Sequence, residues 1–99
     1  MKRLPSPLSF DWDEGNINKN WLKHHVHNKE TEEIFFNRPL QIFPDPKHSK
    51  AEQRYVLYGI TNKGRRLTVV FTYRRNIIRV ISARDQNKKE RNIYDKNKT

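Results

Sequence analysis

A chain of 99 residues with no cysteine and a formal net charge of +10 can fold as one domain, but it can form neither a disulfide nor a thiolate metal site. No segment approaches the ~20 apolar residues that cross a membrane, and the start of the chain lacks the ~7–15-residue apolar run of a signal peptide. We therefore expect a single domain over residues 1–99, located in the cytoplasm and with no membrane partner.

The charge is distributed unevenly along the chain. Residues 1–52 contain eight Lys or Arg and eight Asp or Glu, whereas residues 53–99 contain thirteen and three. The whole positive excess therefore lies in the second half. This asymmetry favours a polyanionic partner, which could be a nucleic acid, an anionic membrane surface or an acidic protein. A surface that only increases solubility is the alternative.

The first half of the chain is predicted to contain a short strand and two helices. Residues 1–9, which include two prolines, are expected to form a flexible arm. Residues 9–12 alternate as a strand does, and Asp13 can cap a helix that runs to about His25. A second helix is predicted over residues 30–37, before the next proline.

The second half is predicted to be mainly β-structure. Four strands are predicted. One lies near the end of the first half, at residues 40–43, and three lie in the second half, at residues 54–61, 67–73 and 77–83. The last of these has apolar residues at both parities, which is typical of an interior strand. Its register is not fixed by the sequence, which leaves open the face that Arg79 occupies. Asn87 and Glu90 have the spacing of a capping box and predict a helix over residues 88–96. The order indicates an α+β fold with a mainly antiparallel sheet, two N-terminal helices and a C-terminal helix.

Arg84 lies between the last predicted strand and the last predicted helix. A cation at a helix N-terminus opposes the helix dipole, whereas a guanidinium and a helix end together suit a bound phosphate. Arg54, Arg74 and Arg79 lie on or beside the preceding strands. Because only three carboxylates accompany the thirteen cations of this half, we expect some arginines to remain available for phosphate. Arg84 and Arg74 are the strongest candidates.

The first predicted helix carries the candidate for a general base. Ile17, Trp21 and His24 share one face of this helix, while Lys19 and Lys23 lie opposite. Histidine is the usual base near neutral pH, so His24 can be catalytic, but a half-buried structural role is equally open. The three histidines between residues 24 and 27 are not expected to bind a metal, because on one helix end they cannot all converge. We expect no cofactor.

Six short motifs resemble the BrnT-type toxin family. They are Phe10-Asp11-Trp12-Asp13; Asn20 with Lys23-His24; Asp45, His48, Ser49, Glu52 and Arg54; Val70-Phe71-Thr72 with Arg74; residues 78–84; and Glu90-Arg91 with Tyr94. Together they span about residues 10–95 in the order of the family. The chain departs from the family at Asn16, where a lysine is usual. It also has His25 where glycine is common, and glycine suits a helix C-terminus with positive φ.

The resemblance implies a fold similar to that of the RelE group of small ribonuclease toxins. It also implies the toxin of a type II toxin–antitoxin system, which cleaves RNA without a metal and inhibits translation. The implied partners are RNA and a ribbon-helix-helix antitoxin, in a two-plus-two complex that binds operator DNA through the antitoxin.

These observations lead to a set of expected functional residues. We expect Arg84, Arg74, His24 and Lys23 to be catalytic, and Arg54, Arg79, Lys88 and Arg91 to bind RNA. The alternatives are a non-catalytic basic module that binds nucleic acid, and a subunit that binds only an acidic protein.

Overall fold

The chain forms an α+β fold, as the sequence predicts. The structure, a computed structural model, describes residues 8–48 and 52–97. In chain order the elements are β1 (Ser9–Phe10), α1 (Lys19–His24), α2 (Asn28–Ile34), β2 (Gln41–Pro44), a 3-10 turn (Pro46–His48), β3 (Tyr55–Ile60), β4 (Arg66–Arg74), β5 (Ile77–Asp85) and α3 (Lys88–Lys96). Most of the predicted arm lies outside the described residues. No helix in the described part is long and apolar enough to cross a bilayer.

The five strands form one mixed sheet in the order β1-β5-β4-β3-β2. β1 is parallel to β5, and the other three neighbouring pairs are antiparallel. β5 therefore lies in the interior of the sheet, between β1 and β4, as its apolar residues at both parities predict. β1 is only two residues long, shorter than the predicted strand over residues 9–12.

One face of the sheet, the core face, is covered by α2 and the segments around it. Phe35 directly follows α2, and its ring meets that of Phe71 on β4 edge-on, with the ring centroids 5.1 Å apart. The buried apolar side chains of this core are Val26, Ile34, Phe35, Leu57, Leu67, Val69, Phe71, Ile78, Val80 and Ala83. On α3, Tyr94 is also fully buried and donates its hydroxyl hydrogen bond to Pro39 O at 2.7 Å. Tyr94 thus packs α3 against the sheet.

A β-bulge changes the direction of the side chains along β5. The pairing of β4 with β5 slips by one residue between Val70 and Phe71, which leaves Ile81 as the extra residue. Side chains that are five residues apart lie on opposite faces of a regular strand. Because of the bulge, Arg79 and Arg84 both lie on the face of the sheet that is opposite α2.

α1 closes the part of the β5 edge that β1 leaves open. Asn16 Nδ2 and Lys19 Nζ each donate to a backbone carbonyl of β5 at 3.1 Å. Asn20 Oδ1 accepts the N–H of Ala83 at 2.9 Å. Polar side chains, rather than an apolar helix face, therefore hold α1 against the sheet.

The first helix is shorter and more exposed than the sequence predicts. It starts at Lys19 rather than just after Asp13, because the carboxylate of Asp13 accepts the N–H of Gly15 at 2.8 Å and holds a turn. The predicted apolar face is not buried: Trp21 is 45% exposed, and His24 is exposed as well. The half-buried structural role for His24 is therefore wrong.

The remaining boundaries shift by a few residues. α2 begins at Asn28 rather than at residue 30, because the carboxylate of Glu30 accepts the N–H of His27 at 3.0 Å. It ends at Ile34 instead of residue 37. Strands β2 to β5 lie within two residues of their predicted ends. α3 has the predicted limits and the predicted capping box.

We expect Asn20→Ala to lower the free energy of unfolding by about 1–3 kcal/mol, because it leaves a buried N–H of β5 without its acceptor. Urea denaturation followed by circular dichroism measures this change. Asn92→Ala, at an exposed position of α3, is the matched control and should change the stability by less than about 0.5 kcal/mol. Equal effects of the two variants would contradict the role of Asn20 at the strand edge.

Candidate functional site

The sheet face opposite α2 carries three of the candidate arginines, and we call it the arginine face. They are Arg74 of β4 and Arg79 and Arg84 of β5. The residues next to them along the two strands point to the core face. Two shallow cavities open on the arginine face. One, of about 390 Å³, is lined by Arg54 and Arg84 among others, and the second, of about 610 Å³, is lined by Arg74 and Arg79.

Arg84 forms a bidentate ion pair with Glu90 on the first turn of α3. The Nη1–Oε1 distance is 2.7 Å and the Nη2–Oε2 distance is 2.9 Å. Oε1 of the same carboxylate also accepts the Thr68 hydroxyl at 3.0 Å and the Asn87 N–H at 2.9 Å. The structure thus brings Arg84 and the helix end together around an anion. That anion is the carboxylate of Glu90.

The surroundings of Glu90 keep both partners of this pair charged. Burial is the largest influence on Glu90 and raises the pKa of its carboxyl group. The hydrogen bonds from Arg84, Asn87 and Thr68 outweigh it, so the pKa lies below the ordinary value of 4.5. The hydrogen bond to Glu90 raises the pKa of Arg84. Burial, with a smaller effect of the Glu90 charge, raises the pKa of the nearby Tyr58 hydroxyl.

Arg84 is held in place but keeps donors for another ligand. A guanidinium has five N–H donors. Among the described residues, two of the donors of Arg84 go to Glu90 and a third to the carbonyl of Asp85, at 3.2 Å. The side chain is 38% exposed. The site can therefore bind an additional anion, such as a phosphate, without breaking the ion pair.

Arg79 and Arg74 obtain their acidic partners from the first half of the sequence. Arg79 contacts Asp11 at 3.2 Å and Asp13 at 2.7 Å, which raises the pKa of Arg79. Arg74 contacts Glu52 at 3.2 Å, and its side chain is 76% exposed. The expectation from the charge count was therefore incomplete, because it considered only carboxylates of the second half. Asp11 and Asp13 of the first half engage Arg79, whereas Arg74 has one acidic contact and a largely exposed side chain.

Lys23 and His24 lie near the end of β5 that carries Arg84. Lys19 is bonded to a β5 carbonyl, and Lys23 is one helical turn further on the same side of α1, with an exposed side chain. His24 is close enough to Asp85 to contribute to its lowered pKa, after the larger effect of Arg65. No hydrogen bond joins Lys23 or His24 to Arg84 within the described residues.

The other predicted RNA-binding residues differ in position. Arg54 lines the cavity of Arg84. Arg91 donates from Nη1 to the carbonyl of Gln86 at 2.8 Å and so supports the turn before α3. Lys88 lies two residues before Glu90 and therefore on the far side of α3 from the ion pair.

Sequence reasoning did not identify Arg65, which joins four segments. Its Nε lies 2.7 Å from a carboxylate oxygen of Asp85, and its Nη1 lies 3.2 Å from a carboxylate oxygen of Glu30. The same guanidinium donates to the carbonyls of His24 and His25, at 3.3 and 2.9 Å, at the C-terminus of α1. The only signal for Arg65 was its place after the predicted turn, because its partners are distant in sequence.

The arrangement is suited to bind phosphate through guanidinium groups. In residues 8–48 and 52–97, no group of three or more His, Cys, Asp or Glu side chains is placed so that it could hold a metal ion. The side chain of His48 and residue 49 lie outside the described part, whereas Glu52 pairs with Arg74. The cations of the site are guanidinium groups on the arginine face, and each of the three contacts at least one carboxylate.

The family model described as the ribonuclease toxin BrnT of type II toxin–antitoxin systems matches residues 12–90. The chain belongs to this family. The resemblance seen in the six motifs is thereby confirmed, and the matched span includes both Arg84 and Glu90. Membership in the BrnT family makes this chain one of a family of ribonuclease toxins. No curated protein sequence matches the chain.

We expect Glu90→Gln to lower the free energy of unfolding at pH 7 by about 1–2 kcal/mol, because it weakens the capping box and the charge-assisted hydrogen bonds. The folded-state pKa of Glu90 lies below its ordinary value of 4.5. The stability that the ionised group provides is therefore complete above pH 4.5 and is lost as the pH falls through the folded-state pKa. The difference between variant and wild type should shrink accordingly in acid.

Urea unfolding at a series of pH values, from about 7 to about 3, measures this difference. Glu14→Gln removes an exposed carboxylate in the turn before α1 and serves as the matched control. A destabilisation by Glu90→Gln that stays constant over this range would contradict the proposed linkage.

Proposed function

We propose that this chain is the toxin of a type II toxin–antitoxin system, a cytoplasmic and RelE-like endoribonuclease that cleaves RNA without a metal and thereby inhibits translation. The BrnT-family match supports the toxin and ribonuclease parts of this proposal. The observation that carries the chemistry is the Arg84–Glu90 pair, which fixes a guanidinium with free donors at an open cavity.

In the proposed reaction, Arg84 binds the scissile phosphate and stabilises the negative charge that develops on it. Guanidinium groups bind phosphate with two parallel hydrogen bonds, and they are most effective when they are oriented in advance. Glu90 is the positioning residue, since it holds Arg84 at one end of the sheet. Arg74 supplies a second cation on the same face.

We assign the first proton transfer to α1. His24 is the proposed general base, which removes the proton of the attacking 2′-hydroxyl, and Lys23 is the cation beside it. Both side chains are exposed and lie near the β5 end that holds Arg84. As the 2′-oxygen bonds to phosphorus, the bond between phosphorus and the 5′-oxygen breaks, and the leaving 5′-oxygen takes a proton from water at this open site. Arg54, which lines the Arg84 cavity, is proposed to bind a neighbouring phosphate of the RNA. Arg79, Lys88 and Arg91 are proposed to contact the RNA outside this cavity.

The alternative is a basic module that binds nucleic acid without cleaving it. Both functions predict that binding to RNA weakens steeply with salt, so that measurement does not separate them. Cleavage in EDTA does separate them. The toxin should yield fragments that end in a 2′,3′-cyclic phosphate, whereas recovery of intact RNA at micromolar protein would favour the non-catalytic module.

We expect Arg84→Ala to reduce the rate of RNA cleavage by about 10²–10³-fold, because it removes a contact to the transition-state phosphate. Arg74→Ala should also reduce cleavage, and both variants should lose growth inhibition. The measurement is single-turnover cleavage of an RNA in EDTA, with folding checked by circular dichroism. Arg38→Ala removes an exposed arginine of the α2–β2 segment and is the matched control. If the Arg84 and Arg74 variants cleave as fast as Arg38→Ala, the phosphate site lies elsewhere.

We further propose a ribbon-helix-helix antitoxin that dimerises through its DNA-binding part and yields a two-plus-two complex with operator-binding activity. An uncompensated positive surface attracts an acidic and flexible inhibitor. Light scattering should show a toxin that is monomeric or weakly associating alone, and a heterotetramer after co-expression. A tight toxin homodimer that still cleaves RNA with antitoxin bound would contradict this assembly.

A further inference from the structure

A groove of about 1000 Å³ lies on the α2 side of the sheet, away from the arginine face. It is bounded by the C-terminus of α1, the N-terminal turns of α2 and the β3–β4 turn. The residues on which the argument rests are Trp21, Lys29, Glu30, Glu33, Lys63 and Arg65. None of them belongs to the proposed RNA-cleaving site.

Trp21 presents a fixed apolar surface at this groove. Its ring stacks on the His27 ring, with the two ring centroids 4.3 Å apart. The centroid of the His25 ring lies 5.1 Å from that of Trp21. Trp21 is nevertheless 45% exposed, and the adjacent Leu22 is 74% exposed. An exposed aromatic ring that is already held by its neighbours loses little conformational entropy on binding. Such side chains are typical anchors of protein–protein interfaces.

The charged groups of the groove can complement an acidic peptide. Arg65 contacts Glu30, and Glu33 accepts the N–H of Asn62 at 3.0 Å, so both carboxylates are engaged. Lys29 and Lys63 have no ion pair within the described residues. Two lysines without an ion pair therefore lie beside two engaged carboxylates and an exposed aromatic ring. A peptide with an apolar side chain and a few carboxylates complements both the ring and the lysines.

We propose that this groove is the anchoring site for the cognate antitoxin, which places an apolar side chain on Trp21 and carboxylates near Lys29 and Lys63. The inference rests on the type II system of the proposed function, because that system supplies a protein inhibitor encoded beside the toxin. Anchoring on the α2 side leaves the arginine face free for a second part of the antitoxin. Tight binding and inhibition would then depend on different residues of the toxin.

The test measures the affinity of the full-length antitoxin, encoded by the gene beside the toxin gene, for purified toxin variants by calorimetry. Trp21→Ser should weaken binding by about 30-fold, as expected for a central aromatic anchor. Lys63→Glu should weaken it by about 5-fold, and more so at low salt. Phe36→Ser, at a 62% exposed aromatic outside the groove, and Lys96→Glu on α3 are the matched controls and should bind as the wild type does.

The same variants are then assayed for binding of a short single-stranded RNA and for self-association by sedimentation. Unchanged RNA binding together with weakened antitoxin binding supports the proposal. Wild-type affinity of both Trp21→Ser and Lys63→Glu for the antitoxin would overturn it, as would a wild-type toxin that does not bind the antitoxin at all. Loss of RNA binding in these variants would assign the groove to RNA, and loss of a toxin dimer would assign it to a second copy.

This design separates the inference from the proposed ribonuclease activity. Affinity for the antitoxin is measured without any cleavage step. If the wild type binds antitoxin through Trp21 but leaves RNA intact in EDTA, the ribonuclease proposal fails while the anchoring site stands. If it cleaves RNA but the groove variants bind antitoxin normally, only the anchoring site fails.

Discussion

The one-residue slip between β4 and β5 is the constraint on which the candidate site depends. Without this bulge, the alternation that buries Val80 would also turn Arg84 toward the core face. A guanidinium buried without a partner there would destabilise the fold. The bulge instead returns Ala83 to the core and puts Arg84 on the same face as Arg79. The location of the bulge beside the cavity is typical, since bulges often redirect side chains at functional sites.

The irregular part of β5 is also where α1 is attached. Lys19 donates from Nζ to the carbonyl of Ile81, the bulged residue, and Asn20 Oδ1 accepts the N–H of Ala83, two residues further on. Asn16 is buried and donates to two carbonyls, one of them that of Val80 on β5. The strand edge is thus closed by side chains where no further strand pairs with it.

The sequence predicted those elements whose signals are local. The start of α3 follows from Asn87 and Glu90, which are three residues apart and interact within one turn. The limits of α1 did not follow, because its buried residue is Asn20 and its apolar residues are exposed, so apolar periodicity misplaced its buried face. The partners of Arg79 could not be assigned either. They lie 66 and 68 residues away, and only the pairing of β1 with β5 brings them close.

Arg84 and Arg74 of the arginine face differ in a way that separates their proposed roles. Arg84 is held by two hydrogen bonds to a carboxylate that is itself anchored by the helix end, so binding a phosphate costs little additional side-chain entropy. Arg74 has a single contact to Glu52 and is twice as exposed, so it must lose that freedom when it binds. Preorganised donors stabilise developing charge without reorganisation, whereas mobile cations mainly attract and retain a polyanion. In the proposed reaction, the transition state therefore depends on Arg84 and the Glu90 that orients it, and Arg74 contributes more to holding the RNA.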